Sequence, residues 1–277
     1  MMCDYCTKHG AGERWYQNAR NYSNELAFSG PVRDFCESYF SREVPAGPDG
    51  FTSIVERISQ PINLDEKKHV DARYSNYLHH QVVTTHEAKQ VLEIASRQTD
   101  EHERAVVRLP CICRYVAYGG DKDLRCFGIA FSDTYTRRFP DYLGGKHQYV
   151  SAEEASNLLE KWSQTETIVH AVSALGVPYI GMLCNCDMQV CRPYIHHQRL
   201  NIRSPWYKGH YTVKVDISKC IGCGNCEEIC PFGVPDIDPD THISIIDSEK
   251  CHGCGVCTNH CDEQALKLIE HSRQSGY

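Results

Sequence analysis

The stretch CIGCGNCEEICP (residues 220–231) is followed by CHGCGVCTNHCD (residues 251–262), and each half reads Cys-x2-Cys-x2-Cys-x3-Cys. That spacing brings four soft thiolates within reach of one iron–sulfur cubane. The fourth Cys of such a run ordinarily ligates the cluster of the other run, so two interlocked [4Fe-4S] centres are expected. Structural zinc sites favour Cys-x-x-Cys knuckles separated by a longer gap, and a third and fourth Cys repeated twice over fit them less well.

In these residues the chain resembles the bacterial 2[4Fe-4S] ferredoxins, over about one fifth of its length. The resemblance implies that Cys220, Cys223, Cys226 and Cys261 hold one cluster, and that Cys251, Cys254, Cys257 and Cys230 hold the other. Gly222, Gly224, Gly253 and Gly255 are expected to let the loops fold tightly, so that backbone N–H groups point at sulfide. Pro231 fits the family. Asp262 departs from it, placing a carboxylate where a second Pro usually stands.

With 277 residues, the chain has room for a core besides the small cluster module, so more than one domain is expected. Its net charge is −7, from 29 basic and 36 acidic side chains, and suggests no nucleic-acid partner. No apolar run approaches the roughly 18 residues of a membrane span, and the start lacks a signal-peptide pattern. Seventeen cysteines suit thiolate–metal chemistry in a reducing cytoplasm better than disulfides, and an anaerobic metabolism is expected.

Residues 1–80 read as a helical region. Trp15, Ala19, Tyr22 and Leu26 recur at helical spacing, as do Val32, Phe35, Cys36 and Tyr39 after Pro31, and then Phe51, Ile54, Val55 and Ile58. VPAGPDG (residues 44–50) reads as a turn with Asp49 as an N-cap. The aromatic stripe is read as core, and Cys36 as a core thiol. Cys3, Cys6 and His9 form an incomplete set of metal ligands.

Residues 81–205 read as an α/β domain with an internal quasi-repeat. Thr84 to Glu87 and Ser151 to Glu154 are capping boxes at an offset of 154 − 87 = 67 residues. The helices that follow carry matching apolar positions, Val91 and Leu92 against Leu158 and Leu159. Each leads to a β-rich run, AVVRLP (105–110) or VPYIGML (177–183), that ends in Cys-x-Cys. Cysteines at the C-terminal ends of strands stand where α/β sheets hold ligands. Cys111, Cys113, Cys126, Cys184, Cys186 and Cys191 are therefore candidate ligands of an additional metal centre, iron–sulfur ahead of zinc. Arg114, Asn185, Arg192 and His196 are candidate supporting donors. Cys-x-Cys also places both residues on one face of a strand, and six core thiols are the alternative. PCICR (110–114) with the later CNC (184–186) is similar to a poorly characterised group of ferredoxin-fused proteins from anaerobes, a likeness that implies cluster binding.

RRFPDYLGGKHQY (137–149) carries cations and a Gly pair but no Rossmann or P-loop context, and reads as a solvated loop. NIRSPWYKGH (201–210) reads as a linker. YTVKVDI (211–217) reads as the first strand of a 2[4Fe-4S] domain over 211–277, with residues 243–246 and 265–269 as further strands. The fold class expected is α+β or α/β with a ferredoxin-like module.

The function these features suggest is relay of low-potential electrons to or from a redox partner or a larger oxidoreductase complex. One alternative is a ferredoxin-fed reductase with a catalytic cluster on the middle cysteines, for which Arg114, Lys146, His147, His196 and His197 are candidate proton donors or anion anchors. The other is a zinc-braced docking domain fused to a ferredoxin.

Overall fold

The computed structural model describes residues 3–40, 63–98, 106–118, 124–129, 138–140, 147–202 and 204–271. Helix α1 (Asp4–His9) is followed by two 3-10 turns, Trp15–Gln17 and Ala19–Tyr22, and by the short α2 (Asn24–Ala27). The single helix expected over residues 15–26 is thus broken. Asn18 and Ser23 are the reason, because each turns its side chain onto a nearby backbone N–H and restarts the chain. Helix α3 (Gly30–Phe40) matches the second expected stripe, and α4 (Leu64–Tyr77) opens with a capping box from Asn63 to Glu66. The third stripe and the turn with Asp49 lie outside the described residues.

Both predicted capping boxes are present. Thr84 opens α5 (Thr85–Arg97) after strand β1 (His79–Val83), a strand in a region read as helical. Strand β2 (Val106–Leu109), helix α6 (Ile112–Tyr118) and strand β3 (Cys126–Ile129) complete the first repeat. The second repeat runs β4 (Gln148–Val150), α7 (Ala152–Thr165) capped by Ser151, β5 (Val169–Ala174) and β6 (Ile180–Cys186). Helix α8 (Arg192–Leu200) and strand β7 (Trp206–Tyr207) follow.

The seven strands lie in the order β4-β2-β3-β6-β5-β1-β7. Exchanging β1, β2 and β3 for β4, β5 and β6 turns the order of the first six into its own reverse, so the two repeats are related by an approximate twofold. Each repeat lends its first strand to the other half: β4 pairs with β2, and β1 with β5. Every pair is antiparallel except β1 with β7. Helices α5 and α7 do make crossovers, but strands of both repeats separate the two ends of each, so the parallel neighbours of an α/β sheet never form. The sheet domain is α+β. The second Cys-x-Cys also sits one strand later than the repeat alignment expects: the first follows β2, whereas the second lies in β6, the counterpart of β3, across the hairpin at Gly176 (φ 74°) from β5.

One face of the sheet is covered by α5 and α7, where Val91, Leu92, Leu159 and Trp162 pack with Phe127, Val172 and Leu183. Trp15, Tyr16 and Tyr22 share this core, so the aromatic stripe is core as read. The other face carries Val82, Ala171, Cys126, Cys184 and Cys186.

The presumed linker proves structural. Trp206 is buried in β7 and His210 is buried four residues further on, with a cis Ser204–Pro205 bond just before the strand. The C-terminal module pairs β8 (Tyr211–Val215) with β11 (Leu266–Glu270), and β9 (Pro235–Ile237) with β10 (Ser244–Ile246). Between them lie the short helices α9 (Asn225–Ile229) and α10 (Val256–Asn259). Among the described residues, no helix is long and apolar enough to cross a membrane.

Candidate metal centres

In the C-terminal module each Cys run turns through glycines with positive φ. A Cβ on Gly222 (φ 68°) would stand 2.0 Å from the His242 carbonyl oxygen, and one on Gly253 (φ 67°) 2.1 Å from that of Tyr211. Only glycine lets these loops fold so tightly. Amide donors reach the sulfurs: Ser244 N–H donates to Cys220 Sγ at 3.5 Å, and Gly253 N–H to Cys251 Sγ at 3.4 Å. Burial raises the Cys226 thiol, with Cys220 and Cys223 close enough to repel its charge. Burial pushes Cys254 up to about 12 and also raises Cys257, and both are further raised by Cys230 and Cys251. Cys230 of the first run thus sits with the second run. The Asn225 side chain donates to the His260 carbonyl at 2.8 Å, tying the first run to the residue before Cys261. Half-buried thiols crowded in this way disfavour their own thiolates unless cations neutralise them, and a cluster iron does that.

The six middle cysteines, far apart in sequence, converge on the cysteine face of the sheet. Their sulfurs form an unbroken series of contacts from Cys113 to Cys111, Cys126, Cys184, Cys186 and Cys191. The sheet explains the middle of the series. Cys184 and Cys186 alternate along β6, and the register of Phe127 with Leu183 puts Cys126 beside Cys184. Cys111 and Cys113 are not on a strand: one follows β2 and the other lies in the first turn of α6.

Each thiol perturbs its neighbours: contacts with Cys113 and Cys126 hold Cys111 low and contacts with Cys126 and Cys186 hold Cys184 low, while Cys113, Cys126 and Cys186 are raised. Cys191 is lowered to about 7, against its burial, by Cys186 and His80.

His80 is the site residue that the sequence reading missed. Its Nδ1 lies 2.5 Å from Ser173 Oγ and its Nε2 3.7 Å from Cys186 Sγ, and with Cys184 and Cys186 it offers three donor atoms within 4.8 Å of one another. The only sequence signal was a histidine pair opening a strand, which gives no hint of a partner in β6.

The supporting donors sort differently from the expectation. Arg114 is buried, lowers Cys111 through its charge, and donates to the Asn185 carbonyl at 3.0 Å. The backbone N–H of Arg192 donates to Cys113 Sγ at 3.4 Å. Asn185 alternates with its Cys neighbours, so its side chain points to the opposite face, where it meets His170 and the Arg125 carbonyl. His196 hydrogen-bonds Tyr74 on α4 instead. Lys146 and most of residues 137–149 lie outside the described residues.

A wall of aromatic rings joins this site to the C-terminal module. His80 lies 5.0 Å from Trp206, which packs with Tyr194 at 5.4 Å and donates its indole N–H to His252 Nδ1 at 3.2 Å. His252 stacks on Phe232 at 3.9 Å. Cys184, Cys186 and Cys191 belong to the same apolar cluster as Trp206, Phe232, Val256 and Cys254. Burial raises the Tyr194 hydroxyl, and both Cys230 and Cys191 add to the rise, so Tyr194 stands between the two cysteine groups.

At the start of the chain the sequence offered Cys3, Cys6 and His9 only as an incomplete ligand set, and His9 does not complete it. Cys3 and Cys6 lie 3.1 Å apart, but the imidazole that meets them is His210, with Nε2 3.3 Å from Cys6 Sγ. His9 packs on the Tyr5 ring instead. Cys36 is a buried core thiol, pushed up to about 12 by burial.

The fold and these donor sets define a cysteine-rich α+β protein with an iron–sulfur module at its C-terminus. Residues 219–266 match the 4Fe-4S dicluster domain family, which supports iron–sulfur binding there and an electron-transfer role. No curated protein and no solved structure matches the chain.

Proposed function

We propose that the protein relays electrons between a redox partner and a chain of three iron–sulfur centres. Two lie in the C-terminal module, on Cys220, Cys223, Cys226 and Cys261 and on Cys251, Cys254, Cys257 and Cys230. The third is held by the middle cysteines with His80. The observation that carries this reading is the unbroken series of six sulfurs, joined through Trp206, Tyr194 and Phe232 to Cys254 of the module.

An iron–sulfur cluster at the middle site would supply one-electron storage. The chain's own residues do the rest. Buried apolar walls exclude water, Arg114 offsets thiolate charge, and Ser173 fixes the His80 ring so that Nε2 faces the sulfurs. The middle site holds seven candidate donors where one cubane takes four, so it has room for a cluster of higher nuclearity or a cluster with a neighbouring ion.

The test is metal content with EPR on anaerobically purified protein. Two cubanes give about eight iron and eight sulfide per chain, and a third centre raises the count above that. Cys184→Ser with Cys186→Ser returns the count to about eight and leaves both ferredoxin-type signals intact. Eight iron in the wild type, with or without zinc, removes the third iron–sulfur centre.

A further inference from the structure

We propose that Cys3, Cys6 and His210 bind one divalent ion of the zinc class, which pins the beginning of the chain to the segment joining the sheet to the C-terminal module. The three donor atoms lie within 4.8 Å of one another, so each can reach a common point between them. Cys6 is fully buried and His210 nearly so, while Cys3 is half-buried. Two thiolates and an imidazole are a donor set that borderline-soft ions take and that magnesium or calcium does not.

The surroundings hold these donors as outer-shell groups hold a metal site. Cys3 is the N-cap of α1 and accepts from the Cys6 backbone N–H at 3.3 Å, which sets both sulfurs on the same side of the helix start. Gln81 on β1 is locked by the Trp15 indole, which donates to its Oε1 at 2.6 Å. Its amide nitrogen then donates to the Lys208 carbonyl at 3.2 Å and lies 3.8 Å from Cys3 Sγ and 3.3 Å from His210 Nε2, a contact that a bound ion would replace. The Tyr16 ring stacks against His210 at 5.9 Å.

Three protein donors leave a fourth tetrahedral position for water or a small anion. His210 also lines a cleft of about 680 Å³ shared with Arg14, Gln90, Tyr211 and His271, which gives an ion a way in. None of these residues belongs to the cluster sites, so the inference stands whether or not the middle centre is iron–sulfur.

The experiment uses the full-length holoprotein, purified anaerobically, incubated with zinc chloride and desalted. Zinc is counted by elemental analysis and its neighbours by zinc-edge X-ray absorption, which iron does not obscure. The expected result is about one zinc per chain with two sulfurs at about 2.3 Å and a nitrogen at about 2.0 Å. Cys3→Ser and His210→Ala should each lose most of that zinc while iron and sulfide stay at wild-type levels. Cys3 sits at the edge of the core, so its variant keeps the test open should His210→Ala fail to fold. Absence of retained zinc in the wild type, wild-type zinc in both variants, or a Cys3–Cys6 disulfide in the anaerobic protein would each overturn the proposal.

Discussion

Replacing Trp206 with alanine probes the joint on which the proposed electron relay depends. The indole is 2 % exposed and touches rings on three sides: His80 from the sheet, Tyr194 from α8, and Phe232 and His252 from the module. Truncating a buried Trp to Ala costs about 3–5 kcal/mol through lost transfer energy and the cavity left behind. Trp206→Phe keeps most of the apolar contact but removes the hydrogen bond to His252, a loss of about 1 kcal/mol. Urea unfolding of the anaerobic holoprotein, followed by far-UV circular dichroism, should therefore rank wild type, Phe and Ala in that order. Iron content should stay constant, because Trp206 is not a ligand. In the same samples, any magnetic coupling between the proposed middle centre and the C-terminal clusters should weaken in the Ala variant, whose module is no longer held against the sheet. A cost below about 1 kcal/mol for Trp206→Ala would refute the packing argument, since no well-packed indole is removed so cheaply.

Two further outcomes follow from local geometry. Gly253→Ala should lower iron content and stability together, because its Cβ would collide with the β8 backbone at 2.1 Å; Gly224→Ala, with φ 79° and nothing within 4 Å, should cost only about 1 kcal/mol and keep its iron. Equal behaviour of the two would mean that the close approach at Gly253 is not what the loop requires. His170 is fully buried and lowered to about 4 by that burial, with Nδ1 on Asn185. The unfolded chain takes up the proton first as pH falls from about 6.5, so this residue removes up to about 3 kcal/mol of stability by about pH 4. His170→Gln should flatten the pH dependence of the urea midpoint over that window, and an unchanged slope would count against the assignment.

The local features of this chain were legible in its sequence because their causes are local. The double Cys run, its glycines, the capping boxes at Thr84 and Ser151 and the strands at residues 211–215, 244–246 and 266–270 each depend on neighbours a few residues away. The quasi-repeat was legible as well, though its strands were mismatched, since pattern alone does not reveal that each repeat gives its first strand to the other. That exchange is a matter of pairing between distant segments. It decides that the six strands of the two repeats pair antiparallel, and it sets Cys126 beside Cys184 on one face while turning Asn185 to the other.

The same holds for the histidines. His9 was the natural partner for Cys3 and Cys6 by proximity in sequence, yet packing of the first residues against β1 and β8 brings His210 to them. His80 reaches Cys186 only because β1 lies next to β5 and β5 next to β6. Residue spacing along the chain specifies a paired cubane motif and a further reserve of thiols. Tertiary structure alone decided which thiols meet, which imidazoles join them and which rings lie between, because these depend on strand pairing and burial across more than a hundred residues of chain.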